Sequence, residues 1–467
     1  MRASAIATLI VSVSVCVGAA RAHSQAPEAP APLPGGLAPQ PETPAPQGSA
    51  VFGAADARGL AERSGRLDLV VQLFGGYDDD VLAQSSGVPS SQPRLASAAA
   101  GLATGVGASI NYSRPGLLFN RPQGKGDFRG WLNSSLRFYP AVGNLTGTYH
   151  SFGLRLSAPV TRRVTFFASP HGDYAPRYSF ELLSGPLTTS RESPQPSLGT
   201  DAGPEPDIDY SLVTNNSFRY GVMGGSIIEL GTRSSFTVDA AYSKTQSNLA
   251  NYDMEVREAG VSFDHQFSRD ATLELGYSYS DGSHATGLDT TWHGIDIGID
   301  YRRPLTQSRR TFLSFNTGSI IAESEVSGRR VQAVGSASLV HHMKRTWTGI
   351  VEYRRRLQYV DGFDRPLFGD AVITGFDGLL SRKLELSGRA GYTSGTVGLS
   401  EGAPRFDSYT GSLRLRRALS RKLAGYVQAL FYHYSFDEDS RRPPGLPREF
   451  DRVAFRCGLS LWVPLLN

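Results

Sequence analysis

The sequence predicts an all-β fold, a transmembrane antiparallel barrel of about 18 strands with 16 as the alternative count, on three observations. Apolar and polar residues alternate from Leu67 to the C-terminal end. A short basic turn motif recurs between the alternating runs, and no run of 18 apolar residues follows the N-terminal segment, which excludes a helical membrane protein. Composition agrees with this. Of 467 residues only 19% are charged, with 51 Gly, 20 Tyr and 23 Phe, which suits neither a disordered chain nor a soluble helical enzyme. Lys occurs only at 125, 244, 344, 383 and 422, so 42 of the 47 basic residues are Arg and positive charge here means guanidinium. A net charge of +4 gives no footprint for nucleic acid.

The first element is an export signal. Met1-Arg2-Ala3, a mostly apolar stretch from Ser4 to Ala20 and the small-x-small sequence Ala20-Arg21-Ala22 place a cleavage site after residue 22. Cleavage removes Cys16 and leaves Cys457 alone, so no intramolecular disulfide is expected. Residues 23–64 follow, a Pro/Ala/Gln-rich stretch with almost no bulky apolar residue until near its end. They read as a periplasmic tether, mostly disordered, with a short helix from Asp56 to Arg66 before the barrel body of 65–467.

Within the body, period two is plain. Leu273, Leu275, Tyr277 and Tyr279 alternate with polar residues, and Ile295, Ile297, Ile299 and Tyr301 enclose Asp296 and Asp300. Leu384, Leu386, Gly388, Ala390 and Tyr392 repeat the pattern, as do Tyr409, Gly411, Leu413 and Leu415 opposite Thr410, Ser412, Arg414 and Arg416. The predicted strands are Leu67–Tyr77, Ala99–Ser113, Phe128–Tyr139, Ser151–Ala158, Val164–Tyr174 and Asn216–Glu229. Next come Ser234–Lys244, Met254–Phe267, Ala271–Ser280, Trp292–Arg302, Arg310–Ile321 and Arg330–His341. Thr346–Leu357, Phe368–Leu380, Leu384–Thr393, Phe406–Ala418, Leu423–Ser435 and Phe450–Val463 complete them.

Between strands the motif apolar–Ser/Thr–basic–basic marks short turns: Val160-Thr-Arg-Arg163, Leu380-Ser-Arg-Lys383 and Leu419-Ser-Arg-Lys422. Longer polar tips alternate with them, among them Lys244–Met254, Tyr359–Gly369 and Phe436–Glu449, and the longest runs from Ala175 to Asn215. Short turns alternating with long loops form the layout of an outer-membrane β-barrel, with turns on the periplasmic side and loops outside. Such a closed sheet satisfies every backbone group and has no edge.

Alternation then assigns faces. Leu, Ile, Val, Phe and Tyr face lipid, with Tyr242, Tyr277, Tyr279, Tyr301, Tyr353, Tyr392, Tyr409 and Tyr432 as interfacial girdle residues. The lumen then receives an acidic wall of Asp239, Glu258, Asp264, Glu274, Asp296 and Asp300 from the middle strands. A basic wall of Arg354, Arg356, Arg389, Arg414, Arg416 and Arg456 comes from the later ones, with Glu352, Asp377 and Glu385 among them. One reading is charges paired across strands that fill the interior. The other is a wet pore with a transverse field, in which Arg forks hold carboxylates or sugar hydroxyls, constricted by the Ala175–Asn215 loop.

Other chemistry is thinly supported. No zinc spacing, P-loop or dinucleotide fingerprint is present, and His341 and His342 point to opposite faces of one strand. Asp78-Asp79-Asp80 reads first as a solvated loop, second as a place to bind Ca²⁺ or bridge lipopolysaccharide. A barrel-embedded hydrolase would draw on His171 with Asp173, or on His433, but nothing fixes a nucleophile beside them. No catalytic residue, metal or cofactor is expected.

Three stretches carry a resemblance: Gly75-Gly-Tyr-Asp-Asp-Asp-Val81, the repeated Leu-Ser-Arg-Lys-Leu turns, and Leu459-Ser-Leu-Trp-Val-Pro464. On these the body resembles the outer-membrane β-barrel porins of the kind linked to exopolysaccharide loci, and the strand count is similar to that of alginate-export porins. The resemblance implies passive passage of small polar solutes or export of polysaccharide, with outer-membrane lipid, lipopolysaccharide and the barrel-assembly machinery as partners. One departure is the ending, Pro464-Leu-Leu-Asn467, where such barrels usually end in an aromatic residue. The alternative functions are a closed structural or adhesion barrel and, third, the hydrolase.

Overall fold

The computed structural model describes residues 66–78, 102–121, 124–140, 145–179, 210–247, 253–268, 271–285, 289–301, 311–324, 328–343, 346–360, 363, 365–437 and 448–466. The expected signal and tether, and most of the Ala175–Asn215 loop, lie outside these residues. Eighteen strands are present. They are β1 (Arg66–Asp78), β2 (Leu102–Arg121), β3 (Gly124–Tyr139), β4 (Leu145–Pro159), β5 (Val164–Ser179), β6 (Tyr210–Glu229), β7 (Ser234–Ser247), β8 (Met254–Ser268) and β9 (Ala271–His284). The second half is β10 (Thr290–Tyr301), β11 (Thr311–Ser324), β12 (Gly328–Met343), β13 (Trp347–Gln358), β14 (Leu367–Ser381), β15 (Leu384–Val397), β16 (Arg405–Ala418), β17 (Leu423–Phe436) and β18 (Glu449–Leu466). Every strand pairs antiparallel with its sequence neighbours, and β18 pairs with β1 from Leu67↔Leu466 to Asp78↔Ala454, so the sheet closes on itself. The strands run longer than alternation alone indicates: β4 begins at Leu145, not Ser151, and β5 and β6 extend to Ser179 and from Tyr210 into the expected loop. Pairing with a long neighbour extends a strand through residues, such as Pro176 opposite Asn216, whose own pattern does not alternate.

The turn motif has a direct physical origin. Thr161 Oγ1 accepts hydrogen bonds from the backbone N–H of Arg163 (3.1 Å) and Val164 (3.0 Å), and Ser420 Oγ does the same for Lys422 (3.2 Å) and Leu423 (3.1 Å). Ser381 Oγ accepts from Lys383 N–H at 3.3 Å. The hydroxyl replaces sheet partners for the turn's donors, while the two basic residues that follow stand in solvent.

The outside of the sheet is apolar. On β16 the outward face reads Tyr409, Gly411, Leu413, Leu415, Arg417, with Tyr409 47%, Leu413 50% and Leu415 39% exposed. Eight residues of strand make roughly 27 Å, or about 21 Å of membrane thickness at a tilt near 40°, close to the apolar band of a membrane barrel. Toward the loop end this face changes from apolar to aromatic to charged. Tyr353, Tyr392, Tyr409 and His433 come first, and Asp370 and Asp407 follow, accepting from Tyr353 Oη (2.6 Å) and Tyr392 Oη (3.0 Å). Tyr242, Tyr277 and Tyr279 share the outward face, while the side chain of Tyr301 is outside the described residues. Tyr432 does not share it: it is 2% exposed and faces inward. Both faces of β17 are aromatic there (Tyr432 and Tyr434 on one, Phe431 and His433 on the other), so period two carries no sign. The register Tyr409↔His433 decides the matter.

Candidate functional site

The inward face of β7–β10 is thin and acidic. Asp239, Glu258, Asp264, Glu274 and Asp296 all lie on the side opposite the exposed Val238, Leu275, Tyr277, Ile295 and Ile297, and all are half-buried. Three of them have a glycine as register partner on the next strand: Asp239↔Gly260, Glu274↔Gly298 and Asp296↔Gly318. Each carboxyl side chain leans into that notch. A Cβ built on Gly260 would sit 3.1 Å from both Asp239 oxygens, and one on Gly318 only 2.6 Å from Asp296 Oδ1. The fourth, Glu258, faces Ser280, whose Oγ donates to Glu258 Oε1 at 3.4 Å. Asp264 stands directly opposite Glu274 and accepts from Ser235 Oγ at 3.5 Å. Asp300 occupies the next register position on β10, opposite Thr272 and Ser314, and its side chain is outside the described residues.

The inward face of β13–β18 is thick and basic. Arg354, Arg356, Arg389, Arg414, Arg416 and Arg456 all have inward parity, opposite the outward Val351, Tyr353, Tyr392, Leu413, Leu415 and Phe455. Arg416 pairs with Glu385 on β15 and Tyr426 on β17, and Arg414 and Arg456 flank Gln428. The Arg414 guanidinium sits over the Tyr426 ring, 4.4 Å from its centroid, a cation–π contact that fixes a long side chain. Arg416 and Arg456 are themselves buried in the lining. Arg354 is hydrogen-bonded through Nε to Glu352, two residues away on the same face, so that pair brings little net charge. Asp377 lies inward opposite Thr348 and Ser387. In a ring of eighteen, β16–β18 lie nine strands from β7–β9, so Arg414, Arg416 and Arg456 stand opposite the acidic arc, while Arg354 and Arg356 on β13 stand only three strands from β10.

The ends of the sheet show what local pattern could not. Asp78 is no solvated loop residue: the Arg452 guanidinium grips it through Nε to Oδ1 (2.9 Å) and Nη2 to Oδ2, with side chains 1% and 6% exposed. The pair spans the seam between β18 and β1, and Trp462 Nε1 donates to Asp68 Oδ1 (3.1 Å) farther along it. Asp79 and Asp80 are outside the described residues. Arg137 joins this end with its guanidinium 5.9 Å from the Phe74 centroid, an inward Arg that the pattern of the early strands did not single out. At the loop end of β14–β18 the inward residues turn apolar: Leu367, Val397, Phe406, Leu430, Tyr432, Tyr434 and Phe436 form one cluster with Val360 and Phe363. These last two belong to the loop between β13 and β14, so a described loop packs against the lumen lining.

The histidines divide by face. His341 lies outward with Nδ1 on Thr311 Oγ1 (2.7 Å), and His342 inward with Nδ1 on Thr348 Oγ1 (3.2 Å). His433 is outward and paired with Asp451 at 2.5 Å, whereas His171 is inward with Nδ1 3.5 Å from the Ser169 carbonyl oxygen, so the two stand on opposite faces. Among the described residues no group of three or more His, Cys, Asp or Glu is placed to hold a metal ion. A groove of about 780 Å³ lies on the lipid-facing side, floored by Ala168, Gly224, Ala240 and Ala259, and is not part of the lumen.

No protein-family model matches the chain, and no curated protein matches it. Solved structures similar to the chain include the following three. OpdL of Pseudomonas aeruginosa is 12% identical, with 87% of this chain and 100% of that one covered at a TM-score of 0.43. OccK2 (OpdF) of the same organism, solved with glucuronate, is 10% identical over 86% and 99% at 0.44. The FrpB iron transporter from Neisseria meningitidis is 9% identical over 87% and 82% at 0.40. All three likenesses fall under a TM-score of 0.5, and the fold assignment rests on this chain's own register: an eighteen-strand closed transmembrane barrel.

Proposed function

We propose that the protein is an outer-membrane pore through which polar solutes diffuse passively across a lumen with a transverse field. The observation that carries this is the pair of inward arcs of opposite sign, Asp239/Glu258/Glu274/Asp296 facing Arg414/Arg416/Arg456. A closed structural barrel gains nothing from gathering three guanidiniums on one patch, because like charges in a poorly solvated lining repel. A path for anionic or hydroxyl-rich solutes does gain. Guanidinium forks take carboxylates or sugar hydroxyls, from small solutes or from an exported polysaccharide, and the far acids keep the solute against one wall. Residues 1–22 then act as the export signal and 23–64 as a periplasmic tether. Nothing in this reading calls for catalysis.

The test is conductance of the refolded protein in a planar bilayer at several salt concentrations, beside Arg414→Glu/Arg416→Glu. Stable steps whose selectivity moves toward cations in the double variant are expected. A correctly folded but silent barrel would favour the second reading, a closed barrel with its loops as the working surface. That reading draws on the aromatic packing at the loop end, where Phe363, Phe406 and Phe436 fill part of the cross-section.

A further inference from the structure

The loop between β13 and β14 spans residues 359–366, and its described residues reach strands far from their own. Tyr359, the first residue after β13, extends to β9 and β10, where its Oη donates to the Thr290 carbonyl oxygen at 2.6 Å. Its ring occupies a space that exists only because position 282 is glycine: a Cβ there would meet ring atoms Cε1 and Cζ at 2.4 Å. The His284 ring stands beside it at 6.3 Å between centroids. Burial pushes the phenol above its ordinary range, so it remains a donor at every physiological pH.

The next described residues turn to other strands. Phe363 N–H donates to Val360 O (3.1 Å), and the Phe363 ring packs 6.0 Å from Phe436 on β17. The loop between β15 and β16 braces it: Gly398 N–H donates to Pro366 O (2.9 Å). Gly398 holds φ +97 with the Arg365 stem against it, a conformation glycine adopts readily. A strap therefore runs from the acidic arc at β9–β10 to the aromatic patch at β16–β17, six to eight strands away in the ring.

We infer that this strap sets the size limit of the pore, and that Tyr359 seated on Gly282 is the specificity-determining contact that holds it across the loop-end mouth. The inference rests on the pore reading. With the ring in place, the strap divides the cross-section and leaves the polar passage beside the thin acidic wall. With the ring unseated, Val360 and Phe363 lose their far anchor and larger solutes pass.

Two variants approach the contact from opposite sides. Tyr359→Ala removes the ring, and Gly282→Val fills its seat with a residue that strands accept well. Each is compared with wild type for heat-modifiable gel mobility, which reports the folded barrel, for single-channel conductance, and for the largest neutral sugar admitted in a liposome-swelling assay. Both folded variants should conduct more, by about twofold, and admit larger sugars. The double variant should match the single ones, since both break one contact. A silent wild type with conducting variants also supports the strap and makes it a plug. A conducting wild type with unchanged conductance and cut-off in folded variants overturns the inference while leaving the pore. If neither wild type nor variants conduct, the pore reading itself fails.

Discussion

The two charged arcs are built by different means. Along β7–β10 three acids, Asp239, Glu274 and Asp296, lean over a glycine on the next strand, and Glu258 and Asp264 each accept from a serine, so this wall is built from small neighbours. Along β13–β18 the charges are long guanidiniums, Arg414 resting on the Tyr426 ring and Arg452 of the seam beside Tyr432, so this side carries longer side chains. The lesson is that sign and thickness go together here. Glycine notches let a carboxylate be present without occupying the lumen, whereas a guanidinium needs aromatic support to stand in it.

The largest expected effect comes from undoing the thick side at its seam. Arg452→Ala leaves Asp78 buried without its fork and should lower stability by about 3–5 kcal/mol, read as a fall in the urea midpoint of the folded band. Asp78→Asn keeps the shape and should cost less; equal losses would mean that packing, not charge, closes the seam. The thin side should be more sensitive to bulk than to charge. Gly318→Leu brings a Cβ within 2.5 Å of the Ile295 carbonyl oxygen, so it should cost about 1–3 kcal/mol and reduce conductance. Asp296→Asn at the same notch should leave stability within about 0.5 kcal/mol while moving selectivity toward anions, and a matching loss of stability would erase the proposed distinction between the arcs. The smallest effect belongs to the outer rim: Tyr392→Phe removes an exposed bond to Asp407 and should shift stability by less than about 0.5 kcal/mol.

Much of this barrel was legible in the chain. Alternation places Arg414 and Arg416 on one face and Leu413 and Leu415 on the other without any knowledge of neighbours, because one strand suffices. The Ser/Thr turn motif works for the same reason: hydroxyl and acceptor positions lie within three residues. What alternation misses is whatever a distant strand decides. Tyr432 needed the register of β16 to be assigned inward. Asp78 looked like loop because its partner is Arg452. The strap leaves no local trace, because the seat of Tyr359 is a glycine 77 positions earlier, undistinguished among the 51. Composition gives no sign of which glycine receives a ring.

The seam pair has a consequence in time as well as in energy. Asp78 and Arg452 are separated by 374 positions, and every intervening strand must be in place before the first can meet the last. Closing so large a loop is entropically slow, and a contact made only at closure contributes nothing while strands are being laid down. Its loss therefore acts on the rate at which a finished barrel opens, not on the rate at which it inserts. The Asp78–Arg452 fork is an element of kinetic persistence: it sets how long the protein, once assembled, stays assembled.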